Sequence, residues 1–294
     1  MTSLAELARE HSALERDDID HLHRLAAEWA FLADLCFADL LLYVRSDAGK
    51  WLIVDQVRPA TNQTMYVTDY IGTWADGDEA ELIEQAFESG QRVEGAIEVD
   101  GGGDEVNHAR MLAVPVRHGD RIVAVLSKEW KVRAGRPLGE LERNYSYIFE
   151  EFVQMIEAGS FPFAGRVADS SAAPRVGDGV LTLDSSGTVT YVSPNANSAL
   201  HRVGIQANPV GMRLAELGFH DGPVRQAFER FEPVVEEFEQ GTDVTLLARC
   251  VPLLTGQAPN AMVAGGLLLV RDLSLIHISE PTRPPSTSRM PSSA

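Results

Sequence analysis

The sequence predicts an α+β fold of two domains, each an antiparallel sheet with helices over one face, joined by a Gly/Pro/Ser linker. Three observations carry this. Asp178–Arg202, DGVLTLDSSGTVTYVSPNANSALHR, reads as strand, tight turn, strand and short helix. In the first half, helical periodicity gives way to short apolar strands closed by polar and glycine turns. Between them, Gly159–Gly177 (GSFPFAGRVADSSAAPRVG) has the composition of a linker, and a chain of 294 residues suits two domains.

The elements follow in order. Thr2 or Ser3 caps a first helix through Glu10. Asp17 and Asp18 open a longer one, whose Ile19, Leu22, Leu25, Ala26, Trp29, Leu32, Ala33 and Cys36 share an apolar face, with Glu28 and Asp34 off it. Ala38–Arg45 and Trp51–Arg58 are strands; Asp78–Gly90 is a helix with acidic residues first and glycine last. Arg92–Val99 is a strand, Asp100–Asp104 a flexible loop, and Arg110–Arg117 with Arg121–Trp130 a hairpin. A helix runs from Pro137 to about Ala158. Its Leu138, Leu141, Tyr145, Ile148, Phe152 and Met155 are spaced 3, 4, 3, 4, 3, a heptad seam. That seam fits a helix packed on its own sheet, or a parallel dimer contact that carries the signal. In the second half, Gly187 supplies the positive φ of the hairpin turn, and Ser193 caps a helix with Pro194 at its first position. Short helices at Pro194–Val203, Met212–Leu217 and Pro223–Phe231 precede two closing strands, Val244–Leu254 and Ala261–Asp272.

Composition narrows the function. Lys plus Arg is 25 against 43 Asp plus Glu, a net charge of −18, which argues against a nucleic-acid surface. Cys36 and Cys250 lie in apolar contexts and read as core thiols. MTSLAELAREHS has no apolar core of a signal peptide, and the longest apolar stretch, Ala261–Val270, is about half of what a bilayer needs. A cytoplasmic location is expected. No catalytic motif is present: no G-x-S-x-G, H-E-x-x-H, Walker or C-x-x-C pattern. His21 and His23 lie two apart, on opposite sides of a helix, so they do not share a metal; His108 and His118 read as exposed. No metal site is expected.

Asp178, Gly179, Gly187, Val189, Tyr191, Asn195 and Ala196 resemble the hairpin of the PAS sensor family, "DGxIxxxxxxGxVxYxNxA". An ordinary hairpin of another α+β fold is the plainer alternative. Pro115–Ser127 (PVRHGDRIVAVLS) looks like the last two core strands of a GAF domain, with Ala124 at the usual glycine. These resemblances imply a GAF-like domain at 1–159, a linker at 160–176 and a PAS-like domain at 177–272. Both families hold small ligands or none between sheet and helices. Tyr191, Asn195 and His201 are position-based candidates to touch a small-molecule ligand, with His201 the nominal axial residue for a haem. Ser193–Val203 has no cysteine, so flavin photochemistry is not expected. The cofactor is otherwise unknown.

His21–Arg45 (HLHRLAAEWAFLADLCFADLLLYVR), and Met155–Gly165 leading to Arg175–Val180, resemble cytosolic actinobacterial two-component sensor histidine kinases, over residues 1 to about 272. The resemblance implies a homodimer whose sensor region regulates ATP-dependent histidine autophosphorylation and phosphotransfer to a response regulator of the ANTAR RNA-binding type. The phosphoacceptor-histidine run and the ATP-binding boxes of that family are not in this sequence, so no catalytic residue is assigned and the chain alone is expected to be inactive; ATP is implied for the kinase part only. A standalone GAF–PAS regulator that binds a small molecule is the alternative, and a small enzyme with a GAF-type cavity a further one. From Leu273 the composition changes: six Ser and four Pro stand among the last 22 residues. Leu273–Arg283, LSLIHISEPTR, resembles the in-frame translation of a transposase-type sequencing adapter. That implies that 273–294 is a non-native, disordered tail and that the natural chain runs on; a genuine disordered tail is the other reading.

Overall fold

The computed structural model describes residues 3–66, 68–100, 106–131, 137–165, 173–240, 244–257 and 260–273. The first half runs α1 (Leu4–His11), α2 (Arg16–Glu28), α3 (Ala30–Cys36), β1 (Asp39–Arg45), β2 (Trp51–Val57), α4 (Gly77–Ser89), β3 (Val93–Asp100), β4 (Val106–His118), β5 (Arg121–Lys131) and α5 (Glu140–Ala158). The second runs β6 (Val180–Asp184), β7 (Val189–Val192), α6 (Pro194–Arg202), a 3-10 turn (Leu214–Leu217), α7 (Gly222–Arg230), β8 (Val234–Gln240), β9 (Val244–Thr255) and β10 (Met262–Asp272). Each half builds one antiparallel five-stranded sheet, in the orders β2-β1-β5-β4-β3 and β7-β6-β10-β9-β8. The α+β class is as expected.

Local chemistry sets the element ends. Ser3 caps α1 in a reciprocal box with Glu6. Ser193 caps α6, its hydroxyl accepting from the Ala196 amide at 3.3 Å and the Val180 amide at 2.9 Å. The helix expected over Asp17–Cys36 is two helices, broken at Trp29. α5 starts later than expected, at Glu140 behind the cap Gly139, leaving Pro137 ahead of it. β8 (VVEEFEQ) was absent from the expected strands because its glutamates hide any apolar alternation. It is an edge strand, where charge guards against pairing with another chain.

Side chains alternate across each sheet. Leu40, Leu42 and Val44 of β1 join one core, while Leu41 and Tyr43 join another on the opposite face. α4 packs on that second face through Ile83 and Ala86, so the first sheet is covered on both sides rather than one. The core around Leu40 continues through α2, α3 and α5 to Val180, Val251, Leu253, Leu267 and Leu269 of the second sheet. α6, the 3-10 turn and α7 cover the far face of that sheet over Leu181, Leu246, Cys250 and Leu268. The layers are therefore α4, first sheet, α2/α3/α5, second sheet, α6/α7.

The stretch read as a linker is anchored at both described ends. Phe161 and Phe163 are buried, as are Ala173 and Val176. Residues 166–172 of it, the loop at 101–104 and the tail at 274–294 lie outside the described residues.

Gly179, at the start of the second-half hairpin, is fixed by close approach. A Cβ there would stand 2.8 Å from the Ala196 Cα and 2.9 Å from its nitrogen, both backbone atoms of α6. Gly179→Ala is expected to cost about 1–3 kcal/mol, because α6 must move bodily. A lowered urea midpoint with an unchanged slope checks this.

Candidate functional site

The structure does not bring the three candidate ligand residues together. Tyr191 of β7 is half-buried and packs toward the core shared with α5, away from the core under α6 and α7. Asn195 is exposed, and its side-chain amide donates to the Gly177 carbonyl at 2.7 Å, a brace for the start of α6. His201 is exposed at the end of α6. None of the three lines a described cavity.

The heptad seam is placed more sharply. Tyr145, Ile148, Phe152 and Met155 are buried inside the chain, between the two sheets. Those four side chains are already covered by their own chain, so they are not the surface of a dimer contact. The plain reading, packing on its own sheet, is extended: α5 packs on the second sheet as well, where the Leu254 amide donates to the Met155 sulfur at 3.4 Å. The Tyr145 ring stacks on Phe37 at 5.8 Å, and its hydroxyl is a partner of the Ser193 hydroxyl that caps α6. Leu141 is partly buried, and only Leu138, 54% exposed, faces outward.

Two acids expected off the apolar face of the second helix are buried. Glu28 pairs with Arg249 of β9, and the Arg249 guanidinium lies 5.6 Å from the Phe31 ring centre. Asp34 accepts from the Ala60 amide at 2.6 Å, and burial raises its pKa. His118 is not free surface either. Its Nδ1 lies 2.8 Å from Oδ1 of buried Asp18, and its ring stacks on buried His21 at 4.5 Å. Desolvation first, then the nearby His118, lowers the His21 pKa to about 4. His23 is exposed. Burial pushes both cysteine thiols up to about 12, as core thiols require.

The candidate site is a cavity of about 250 Å³ between α4 and the first sheet. Leu41, Ile53, Ile97 and Val99 form its floor, and Tyr66, Tyr70, Trp74, Asp76, Glu79 and Glu98 its polar and aromatic wall. Behind the wall lies a network that sequence reading missed. Glu129 of β5 is fully buried and sits directly across the sheet from Asp39, also buried. Oε1 of Glu129 accepts from Ser127 Oγ at 2.6 Å and Tyr43 Oη at 3.1 Å, and its Oε2 accepts from Tyr66 Oη. Tyr43 Oη also stands 2.5 Å from Glu79 Oε1. Burial raises the pKa of Glu129. Burial, then the charge of Glu129, raises that of Glu79 to about 7. Both tyrosines are pushed above their ordinary value by desolvation and then by Glu129. The one sequence signal was an acidic residue inside the apolar run RIVAVLSKEW, where a buried carboxylate demands partners.

A carboxyl with a raised pKa stabilises the fold in full below its unfolded value, and that contribution is lost as pH rises through the folded value. For Glu79 the window runs from the ordinary carboxyl value of 4.5 to about 7. Glu79→Gln is therefore expected to flatten the loss of stability between these limits and to exceed the parent in urea midpoint at pH 8. Urea titrations at pH 5 and pH 8 check it.

Other hollows lie among the described residues. One of about 490 Å³ lies in the second half among Ser186, Arg213, Val224, Arg225, Phe228 and Val263. One of about 360 Å³ sits where the halves meet, beside Glu28, Phe31, Asp34, Arg58, Arg175 and Arg249. Among the described residues, no group of three or more His, Cys, Asp or Glu could hold a metal, and no helix is long and apolar enough to cross a membrane.

Comparison with known proteins fits this geometry. Residues 4–148 match the family model described as "Histidine kinase PdtaS, GAF domain". Sensor histidine kinase PdtaS of Mycobacterium tuberculosis (strain ATCC 25618 / H37Rv) is 39% identical over 218 residues, 74% of this chain and 43% of that protein. Its counterpart in Mycolicibacterium smegmatis is 37% identical over 217 residues, 74% of this chain and 44% of that protein. The chain thus spans under half the length of the curated relatives it matches. A solved structure of the sensor region of a sensor histidine kinase superposes with TM-score 0.78 at 32% identity, covering 94% of this chain and 99% of that one.

Proposed function

This chain belongs to the sensor histidine kinases, of which it is the sensory region, and from that premise we propose that it regulates ATP-dependent autophosphorylation of a histidine and phosphotransfer to a response regulator. The single observation that carries this reading is α5. One helix is buried against both sheets, so a change at the first sheet must repack against the second.

We assign residues 1–159 to a GAF-type domain, 160–176 to the connection, and 177–272 to a PAS-type domain. The cavity under α4 is the sensory site, and it takes a small molecule. The kinase works in the cytoplasm as a homodimer, and its response regulator is of the ANTAR type, so RNA is met by the partner. Catalysis and ATP belong to the transmitter and not to the residues described here. Residues after Asp272 are foreign to the natural chain.

The experiment joins residues 1–272 in frame to the transmitter of the Mycobacterium tuberculosis relative and measures the autophosphorylation rate with labelled ATP. Filling the cavity with Thr73→Trp is expected to change the rate at least about fivefold, the low end of ordinary allosteric coupling. A rate unmoved by Thr73→Trp would sink the cavity as the sensory site. A stop codon in the natural gene in place of a transmitter reading frame would sink the kinase assignment and favour a standalone regulator.

A further inference from the structure

The wall of the cavity has one sign. Its described lining includes three carboxylates, Asp76, Glu79 and Glu98, and three rings, Tyr66, Tyr70 and Trp74; none of its described lining residues is Lys, Arg or His. The described arginines of the neighbouring strand and loop are paired with other carboxylates, Arg45 with Glu84 at 2.6 Å and Arg58 with Asp69 at 2.7 Å, and Arg58 also donates to the backbone carbonyls of Tyr66 at 3.2 Å and Thr68 at 2.7 Å. Carboxylates with aromatic faces beside them are the surroundings in which an organic ammonium is held, by charge and by the ring quadrupoles together.

The hydrogen-bond geometry behind that wall is incomplete unless a proton is added. Tyr43 has one hydroxyl hydrogen and lies within bonding distance of two carboxylates, 2.5 Å from Glu79 Oε1 and 3.1 Å from Glu129 Oε1. It can donate to one of them. The other contact is a hydrogen bond only if that carboxyl carries a hydrogen and donates to the Tyr43 oxygen. Glu129 has two further hydroxyl donors, Ser127 and Tyr66, which favour its charged form. Glu79 has the Asp76 backbone amide and no other side-chain donor among the described contacts, fewer donors than Glu129, so it is the protonated partner, and the chain reads Glu79–H, Tyr43–H, Glu129 anion. The groups facing this chain are Asp39 across the sheet, Tyr66 from the loop, Asp76 ahead of α4 and Glu98 from β3. All four are acidic or phenolic; the bases beside them are His108, its Nδ1 3.9 Å from Glu98 Oε1, and Arg58, which donates to the Tyr66 carbonyl at 3.2 Å, and neither contacts Glu79, Tyr43 or Glu129 among the described residues.

We propose that the cavity takes a small organic cation, and that its ammonium replaces the proton Glu79 shares through Tyr43 with Glu129, so that binding releases one proton to solvent. This rests on the reading of the cavity as the sensory site and adds the class of its ligand. A neutral molecule of the same shape leaves the proton in place and gains no charge pairing.

The test titrates the full chain with choline and with its uncharged isostere, 3,3-dimethylbutan-1-ol. It uses calorimetry in phosphate and in Tris, with Trp74 fluorescence as a second signal. Choline is expected to bind at least about tenfold more tightly than the alcohol and about tenfold more tightly at pH 8 than at pH 6, one linked proton titrating near neutrality. The two buffers should differ in apparent enthalpy by the ionisation of one proton. Glu79→Gln should remove both the pH dependence and the proton release. Glu98→Gln, outside the hydrogen-bonded chain, should weaken choline binding and keep the proton release. Equal affinity for the two probes overturns the cation assignment and leaves the sensory site standing. Choline binding without proton release overturns the coupling, and binding of neither probe overturns the inference together with the site.

Discussion

Truncating Phe152 to alanine is expected to destabilise the chain by about 3–5 kcal/mol, the range for an aromatic lost from a packed core. Phe152 is fully buried. Its ring meets Phe31 edge to face at 5.0 Å and Phe161 at 5.2 Å, and Phe161 meets Phe163 at 5.5 Å. The row joins α3, α5 and the segment after α5, and its core includes strands of both sheets. The hole left by the ring would thus lie between the sheets. Tyr147 on the same helix is 65% exposed, and Tyr147→Ala is expected to stay within about 0.5 kcal/mol. Urea unfolding followed by far-UV circular dichroism and by tryptophan fluorescence checks both. All four tryptophans lie in the first half, so coincident shifts of the two signals report that the halves unfold together. A loss confined to one signal would mean that the shared core does not couple them.

Arg249→Ala is expected to cost on the order of 3–5 kcal/mol, chiefly through what it leaves behind. Glu28 and Arg249 are each 7% exposed, and their ion pair crosses from α2 to β9. Removing the guanidinium strands a buried carboxylate and strips the cation from the Phe31 face. Replacing both partners, Glu28→Leu with Arg249→Met, should recover most of the loss, since a buried pair repays little more than its own desolvation. The double-mutant cycle separates the pair from the background. If the double variant is as unstable as Arg249→Ala, the arginine acts through packing alone. In the fusion with a transmitter, the recovered variant tests whether this ion pair carries signal or only holds the halves together.

Much of the fold could be read from local chemistry. The capping serines at 3 and 193, the glycine turn at 187, the acidic start and glycine end of α4, and the β4–β5 hairpin all rest on contacts within a few residues. The site was hardly legible. Tyr43, Tyr66, Glu79 and Glu129 are far apart in sequence, joined by contacts spanning 36 to 86 positions. No spacing rule connects residues on two strands, a loop and a helix. The ligand candidates at 191, 195 and 201 came from position within a hairpin, which gives the strand but not the face its side chains take once a second layer arrives.

The strands show the same limit from another side. ADLLLYVR and GGLLLV carry apolar runs without alternation because helices cover both faces of each sheet, α4 and α5 on the first, α5 and α7 on the second. Glu28 fell off the apolar stripe of its own helix, and was buried all the same because the second sheet brought Arg249 to meet it. By itself the sequence determined the α+β class, the two halves and most of their strand-and-helix order, β8 and the break at Trp29 apart, since periodicity, caps and turns act over a few residues. Only the tertiary structure decided that one helix serves two sheets and that one tyrosine hydroxyl stands between two glutamates. Burial and charge pairing depend on which distant residues arrive on the same face, and the chain settles that only when its layers close.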